Sequence, residues 1–303
     1  MQHQTICNKA KVTRSGLFAS SRPTMTLRVL SACTLLALGW TAAACSDKNN
    51  SDGNGGSGAG TGPNPPAGAG GVGSNGNGSP TMCASIGAGP GPMVEVPAGD
   101  FTMGCDAGEF GCDEEEQPRR ALSLDTFQID QFEVSQAEYA SCVEAGACTQ
   151  PNLGDKCAWN CEQMNLPAAC LTRTQMSEYC AYAGKRLPSE AEWEKAARGG
   201  DGRTYPWGEA EPTCELTNMG NCLGTAATVD DPAFAAGDSP YGARHMAGNM
   251  VEVVADPWAE GSSEFVGKGG GWWNSTAKWL RAADRDNYGP TYASIAFGFR
   301  CAR

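Results

Sequence analysis

Cysteine is the residue type that most constrains what this 303-residue chain can do, for fifteen are present and twelve of them fall between Cys83 and Cys301. Thiols in that number can ligate metals, attack substrates or pair as disulfides, and spacing and compartment decide between these uses. Cys157, Cys161 and Cys170 lie near enough in sequence to suggest a zinc cluster. A structural zinc takes four ligands, and no fourth accompanies them. Cys105 with Cys112, Cys142 with Cys148, and Cys214 with Cys222 have the spacing of local disulfide loops, each worth about 2–3 kcal/mol by loop closure. His245 is the one histidine beyond residue 45; with no nucleophile beside it, a structural turn suits it better than acid–base catalysis. Trp272, Trp273 and Trp279 cluster near the C-terminus, where indoles either stack on a ligand or fill a core. Two of the three are expected in the core. The charged run Asp113 to Glu116, followed by Gln117, Pro118, Arg119 and Arg120, reads as a solvated loop.

The N-terminal residues set the compartment. From Met25 the chain carries Arg28, an apolar run from Val29 to Trp40, and small residues Ala42 to Ala44 before Cys45. That order is a signal peptide ending in a lipobox, and the run is shorter than the roughly 20 apolar residues that cross a bilayer. It resembles bacterial lipoprotein precursors, in which the cysteine after the small residues is acylated. Cys45 is therefore the expected lipid attachment point, the chain is expected to be exported and anchored to a bacterial membrane, and residues 1–24 read as an over-extended start. Residues 45–82 are the lipidated cysteine and a linker rich in Gly, Ser, Asn and Pro, which cannot bury enough apolar surface to order itself. The folded domain is expected over 83–303. An even set of twelve cysteines in an exported domain predicts six disulfides without fixing their connectivity.

Removing residues 1–45 takes away five basic side chains and no acid, so the net charge falls from -12 to -17. That balance excludes nucleic acid as a partner.

Three helix starts share a capping box: Ser135 to Glu138, Thr172 to Gln175, and Ser189 to Glu192. Apolar residues recur at helical spacing behind each, and Gly146, Gly184 and Gly199 are placed to end them. Strands are predicted at 93–96, 127–132, 250–254 and 295–299. No internal repeat is present. The elements together predict one α+β domain with much loop, stabilised by disulfides.

Seven segments give that domain a resemblance. MVEVPAGDFTMGC (93–105), FEVSQAEYASC (132–142), YCAYAGKRLPSEAEWEKAARGG (179–200), YPWG (205–208), MAGNMVEVVAD (246–256), KGGGWW (268–273) and FGFRCAR (297–303) resemble, in order, the formylglycine-generating enzyme (sulfatase-modifying factor) family. The resemblance implies a compact, loop-rich α+β fold related to C-type lectin domains. It also implies an activity, oxidation of a sulfatase cysteine in a Cys-x-Pro-x-Arg stretch to formylglycine with copper and oxygen. Two cysteines hold the copper in such enzymes. Their positions fall on Asn274 and Trp279 here, and the serine of the preceding GGS motif falls on Gly271. Copper(I) prefers soft sulfur ligands, so copper is not expected and no catalytic residue is assigned.

Other family features are kept, lost or altered. The resemblance implies a disulfide between Cys180 and Cys301, while a second family disulfide maps to Ala197 and Ala282, where both partners are missing. Calcium sites of the family map to Gly248, Met250 and Glu252, with His245 in place of an asparagine, and to a loop starting at Asn218. Oxygen ligands suit calcium, which is carried as a candidate cofactor, the alternative for Glu252 being a strand carboxylate bonded to the Gly-rich loop. The three-histidine iron site of related sulfoxide synthases is excluded by the single histidine. Trp272, Trp273 and Trp279 fall where the family binds its substrate peptide. The expected function is a membrane-tethered binding or accessory module for a peptide, protein or glycan. The competing expectation is a formylglycine-generating oxidase with altered ligands.

Overall fold

The computed structural model describes residues 83–84, 87–151, 157 and 159–303. Cys45, the signal peptide and the linker lie outside the described residues.

Helices α1 (Gln136–Glu144), α2 (Arg173–Tyr182) and α3 (Glu190–Arg198) start at the three capping boxes. At α3, Ser189 Oγ accepts the Glu192 backbone N–H at 3.2 Å while the Glu192 carboxylate accepts the Ser189 N–H at 2.8 Å. Two of the four donors left over at a helix start are thereby satisfied. Gly199 follows α3 with a φ of 72°, a left-handed conformation that glycine adopts without the Cβ clash of other residues.

The strands form three small sheets. β1 (Met93–Val96) pairs antiparallel with β4 (Phe127–Asp130), and β2 (Gly99–Met103) with β3 (Arg120–Leu124). The third sheet has four strands in the order β7 (Arg285–Tyr288), β6 (Phe265–Lys268), β5 (Val251–Pro257) and β8 (Phe297–Gly298). β8 runs parallel to β5 and the other pairs are antiparallel. The C-terminal Ala302 bridges to both Ile129 and Arg186, tying β4 to the loop between α2 and α3.

All twelve cysteines from Cys83 onward are bonded: Cys83–Cys161, Cys105–Cys112, Cys142–Cys148, Cys157–Cys170, Cys180–Cys301 and Cys214–Cys222. The zinc alternative for Cys157, Cys161 and Cys170 therefore has no free thiolate to use. Six disulfides fit an oxidising, extracellular environment. No helix among the described residues is long and apolar enough to cross a membrane.

The centre of the domain is polar as well as apolar. Trp193 of α3 is fully buried, and its indole N–H donates to Glu252 Oε2 at 2.7 Å. Arg300 Nε donates to the same oxygen at 2.7 Å and its Nη2 to Oε1. Glu252 thus differs from the expected partner of the Gly-rich loop: the guanidinium brought in by the C-terminal strand engages both of its oxygens. Ala197 and Ala282 sit in one buried cluster with Trp193 and Val266, small residues packed where the resemblance sets a disulfide. Glu116 corrects the expectation of a solvated charge run. It is buried and accepts two bonds from Arg281, at 2.6 and 2.8 Å, because burying a carboxylate requires a charged or hydrogen-bonding partner.

Candidate functional site

The loop that follows β6 is set from beneath by α3. Lys268, the last residue of β6, is buried and donates to Glu194 Oε2 at 3.2 Å and to the Ala283 carbonyl at 3.1 Å. Glu194 Oε1 meanwhile accepts from Arg198 at 3.0 Å and from the Gly104 N–H at 2.7 Å. Gly269 has a φ of 84°, and a Cβ there would come within 3.0 Å of the Trp193 ring. The EWE stretch of α3 therefore fixes both the ammonium before the glycine loop and the first glycine itself.

Beyond this support the chain forms an open cleft of about 410 Å³ against β5, β6 and β7. Its wall holds both positions that the resemblance assigns to copper cysteines, Asn274 and Trp279. Asn274 Oδ1 accepts the Gly271 N–H at 2.7 Å and its backbone carbonyl accepts from Gly220 at 2.8 Å, so this amide closes a turn of its own loop. Trp279 lies in a short 3-10 helix (Ala277–Leu280) and is 38% exposed. Gly271 faces Trp273, and a Cβ on Gly271 would lie 2.0 Å from that indole ring. Gly271 and Trp273 are thus sterically coupled: the ring occupies the space a side chain at 271 would need.

The three tryptophans separate. Trp272 donates its backbone N–H to the Asn249 carbonyl and packs with Met250 and Cys170 in another small cluster. Trp273 turns the opposite way, is 39% exposed, and meets Trp272 edge-on at 5.7 Å. Only one of the three is directed into a core, where two were expected. Trp273 and Trp279 together line the cleft.

Opposite them stand residues that no motif singled out. Asp286 and Tyr288 alternate along β7 and so share a face, and both line the cleft with Asp284 just before the strand. Gly267 lies across from Asp286 in register; a Cβ there would meet Val251 at 2.6 Å and Tyr288 at 2.7 Å, so only glycine lets the floor close. Burial pushes the Asp284 carboxyl up to about 7, reinforced by Asp286 and Glu116 and only partly opposed by Lys268 and Arg281. Asp286 is also pushed up, chiefly by burial, and burial beside these acids raises the Tyr288 phenol. Their alternation, Asp284, Asp286, Tyr288, is the trace they leave in the sequence, too short and polar to mark a strand without the pairing to β6.

The calcium candidates are placed differently. Asn218 Nδ2 donates to the Thr225 carbonyl at 2.8 Å and to Asn249 Oδ1 at 3.1 Å. Gly248 donates its N–H to Gly269, Met250 is buried against Gly298, and Glu252 is held by Arg300 and Trp193. The sole carboxylate of the set is thus neutralised by a guanidinium, which does not fit a cage for a hard dication. His245 is buried beside Phe234, 5.4 Å between ring centres. Neither ring nitrogen has a well-formed hydrogen-bond partner among the described residues. Burial first, then the Arg300 and Arg244 charges, lower it to about 3 against a weaker opposing effect of the Thr228 backbone, and it remains neutral.

Comparison with known proteins agrees with this architecture. Residues 87–303 match the family described as the sulfatase-modifying factor enzyme 1-like domain. The chain belongs to that family. Among its relatives, hercynine oxygenase of Mycolicibacterium smegmatis is 30% identical over 198 residues, covering 55% of this chain and 46% of that protein. The chain thus spans about half the length of that relative. The formylglycine-generating enzyme of Bos taurus is 29% identical over 283 residues, covering 70% and 75%. The inactive C-alpha-formylglycine-generating enzyme 2 of Mus musculus is 29% identical over 268 residues, covering 69% and 85%. Among solved structures, PvdO from Pseudomonas aeruginosa superposes with a TM-score of 0.57 at 25% identity over 70% of this chain and 93% of that one. The fold is therefore the loop-rich α+β fold of this family, related to C-type lectin domains.

Proposed function

We propose that the chain is an exported lipoprotein, tethered to a bacterial membrane through Cys45, whose sulfatase-modifying factor domain lacks copper oxidase activity and serves as a binding or accessory module. The observation that carries this reading is the make-up of the cleft. Asn274 and Trp279 stand where the family resemblance sets two thiolates, Gly271 has no hydroxyl, and every described cysteine is held in a disulfide. An amide and an indole are poor ligands for copper(I), which takes soft sulfur. No thiol is left within the described residues to replace them. That one relative is itself named inactive fits a family in which the fold outlasts the oxidation. The exposed indoles of Trp273 and Trp279, with room between them and β7, support retention of the cleft for binding.

Mass spectrometry on a Cys-x-Pro-x-Arg peptide incubated with the intact chain, copper and oxygen tests the reading. An unchanged cysteine is the expected result. Its conversion to an aldehyde would establish the oxidase alternative.

A further inference from the structure

Two carboxylates, the buried Asp284 and the exposed Asp286, line one cleft, and the cations nearest them are held chiefly by other partners. Arg281 forms an ion pair with Asp284 at 3.6 Å, longer than a hydrogen bond, while its guanidinium donates to both oxygens of Glu116 and to the Gly111 carbonyl. Lys268 is directed at Glu194 and the Ala283 carbonyl. Arg285, between the two aspartates in sequence, turns away to Glu190 at 2.8 Å and lies over the Trp258 ring at 4.3 Å. Asp284 is 6% exposed, and its carboxylate accepts no hydrogen bond among the described residues. Among the described residues the Asp286 carboxylate accepts from the Tyr288 hydroxyl, at 3.4 Å, and Lys278, whose charge acts on it, pairs with Asp113. No Lys, Arg or His lines the cleft.

The remaining wall is aromatic. Trp273 and Trp279 stand at the lip and Tyr288 at the back, and Tyr288 is itself held by Phe297 at 4.4 Å and Tyr292 at 5.4 Å. A cation over an indole face is attracted by the ring quadrupole, most where water is excluded. A carboxylate beside it adds a charge-assisted hydrogen bond. Anions are repelled by the same two acids, and a neutral ring stacked on the indoles leaves them without a counter-charge.

We infer that the cleft between Trp273, Trp279 and Tyr288 binds an organic cation, an ammonium or guanidinium group, with Asp284 and Asp286 as its counter-charges. This deepens the binding-module reading and rests on it. The cation enters past the two tryptophans, its apolar stem lies along the rings, and its N–H donors reach the aspartates. Burial first, then Asp286 on β7 and Glu116 at the end of the 3-10 turn before β3, hold the Asp284 carboxyl near neutrality against Lys268 on β6 and Arg281 beside it. A bound cation favours the ionised form, so affinity rises from pH 6 to pH 8.

The test is a tryptophan-fluorescence and calorimetric titration of the intact chain. The probes are N-acetyl-lysine methylamide, N-acetyl-arginine methylamide, free putrescine and the neutral N-acetyl-norleucine methylamide, with chitobiose as a neutral sugar. At least tenfold tighter binding of a cationic probe than of norleucine amide is expected, with the preference abolished in the Asp284→Asn/Asp286→Asn double variant. Trp279→Ala, at an exposed position, is expected to weaken every cationic probe while leaving the fold intact. Putrescine binding as well as the amino-acid amides marks a free amine as a source of the cation; binding of the amides alone marks a peptide side chain. Equal binding of norleucine amide, tighter binding of chitobiose, or no binding of any cation would overturn the inference. The peptide-oxidation assay reads the oxidase question separately, so a cleft that binds without regard to charge leaves the binding-module reading standing.

Discussion

The two faces of β5 and β6 have followed different rules. Toward α3 and the C-terminal strand, the buried acids on these strands and on α3 meet cations: Trp193 and Arg300 engage Glu252, and Glu194 engages Lys268 and Arg198. Toward the cleft, Asp284 accepts no hydrogen bond among the described residues and meets Arg281 only at 3.6 Å, while two indoles face solvent. A buried ion pair is maintained because removing one member leaves the other uncompensated. The exposed residues of a cleft open to water carry no such penalty, and their coupling is steric instead. Asn274 and Trp279 lie on the cleft side, so substitutions there leave the buried ion pairs of the other face in place.

The largest effect that sharpens this contrast is expected at Arg300. Arg300→Met leaves the fully buried Glu252 carboxylate without its cation, a loss of about 3–5 kcal/mol, measured by denaturant unfolding. A change under 1 kcal/mol would place the two faces on the same footing. Next is the coupling between Gly271 and Trp273. Gly271→Ser alone forces the serine against the Trp273 ring and is expected to cost about 1–3 kcal/mol. Trp273→Leu opens the space, so the double variant is expected to recover most of the loss, and a thermodynamic cycle reads the difference. Additive effects would mean that the two positions changed independently.

The smallest effect is a pH dependence. The Asp284 carboxyl titrates at about 7 when folded and near 3.8 when unfolded, so the folded state holds more protons between these values. Stability contributed by this group is therefore lost as pH rises from about 4 through 7. Asp284→Asn is expected to melt higher than the parent chain at pH 8 and to match it at pH 4, as read by thermal melts across that range. The opposite order at pH 8 would mean that the ionised aspartate is stabilised by neighbours, not strained by burial.

Much of the supporting side was legible in the sequence. Each of the three helices began at its capping box because Ser or Thr with Glu or Gln three residues on is a local signal. β1 matched its predicted span, while β5 extended three residues beyond prediction and β8 shrank to two. β2, β3, β6 and β7 were not anticipated. β7 reads Arg-Asp-Asn-Tyr, polar throughout, and becomes a strand only because β6 pairs with it, a tertiary effect that propensity does not carry. The same cause hid the acidic wall of the cleft, since Asp284, Asp286 and Tyr288 look like loop until that pairing sets them along one side of it. Asn274 and Trp279 were found through the family resemblance; the role of Gly271 in seating Trp273 needed the structure.

The central claim is that the cleft holds no copper(I). Titration of the intact chain with copper(I) against a competing chromophoric chelator tests it most directly. The account predicts that the chain withdraws no copper from the chelator, in wild type and in Asn274→Ala alike. One equivalent withdrawn by the wild type and lost in that variant would contradict it.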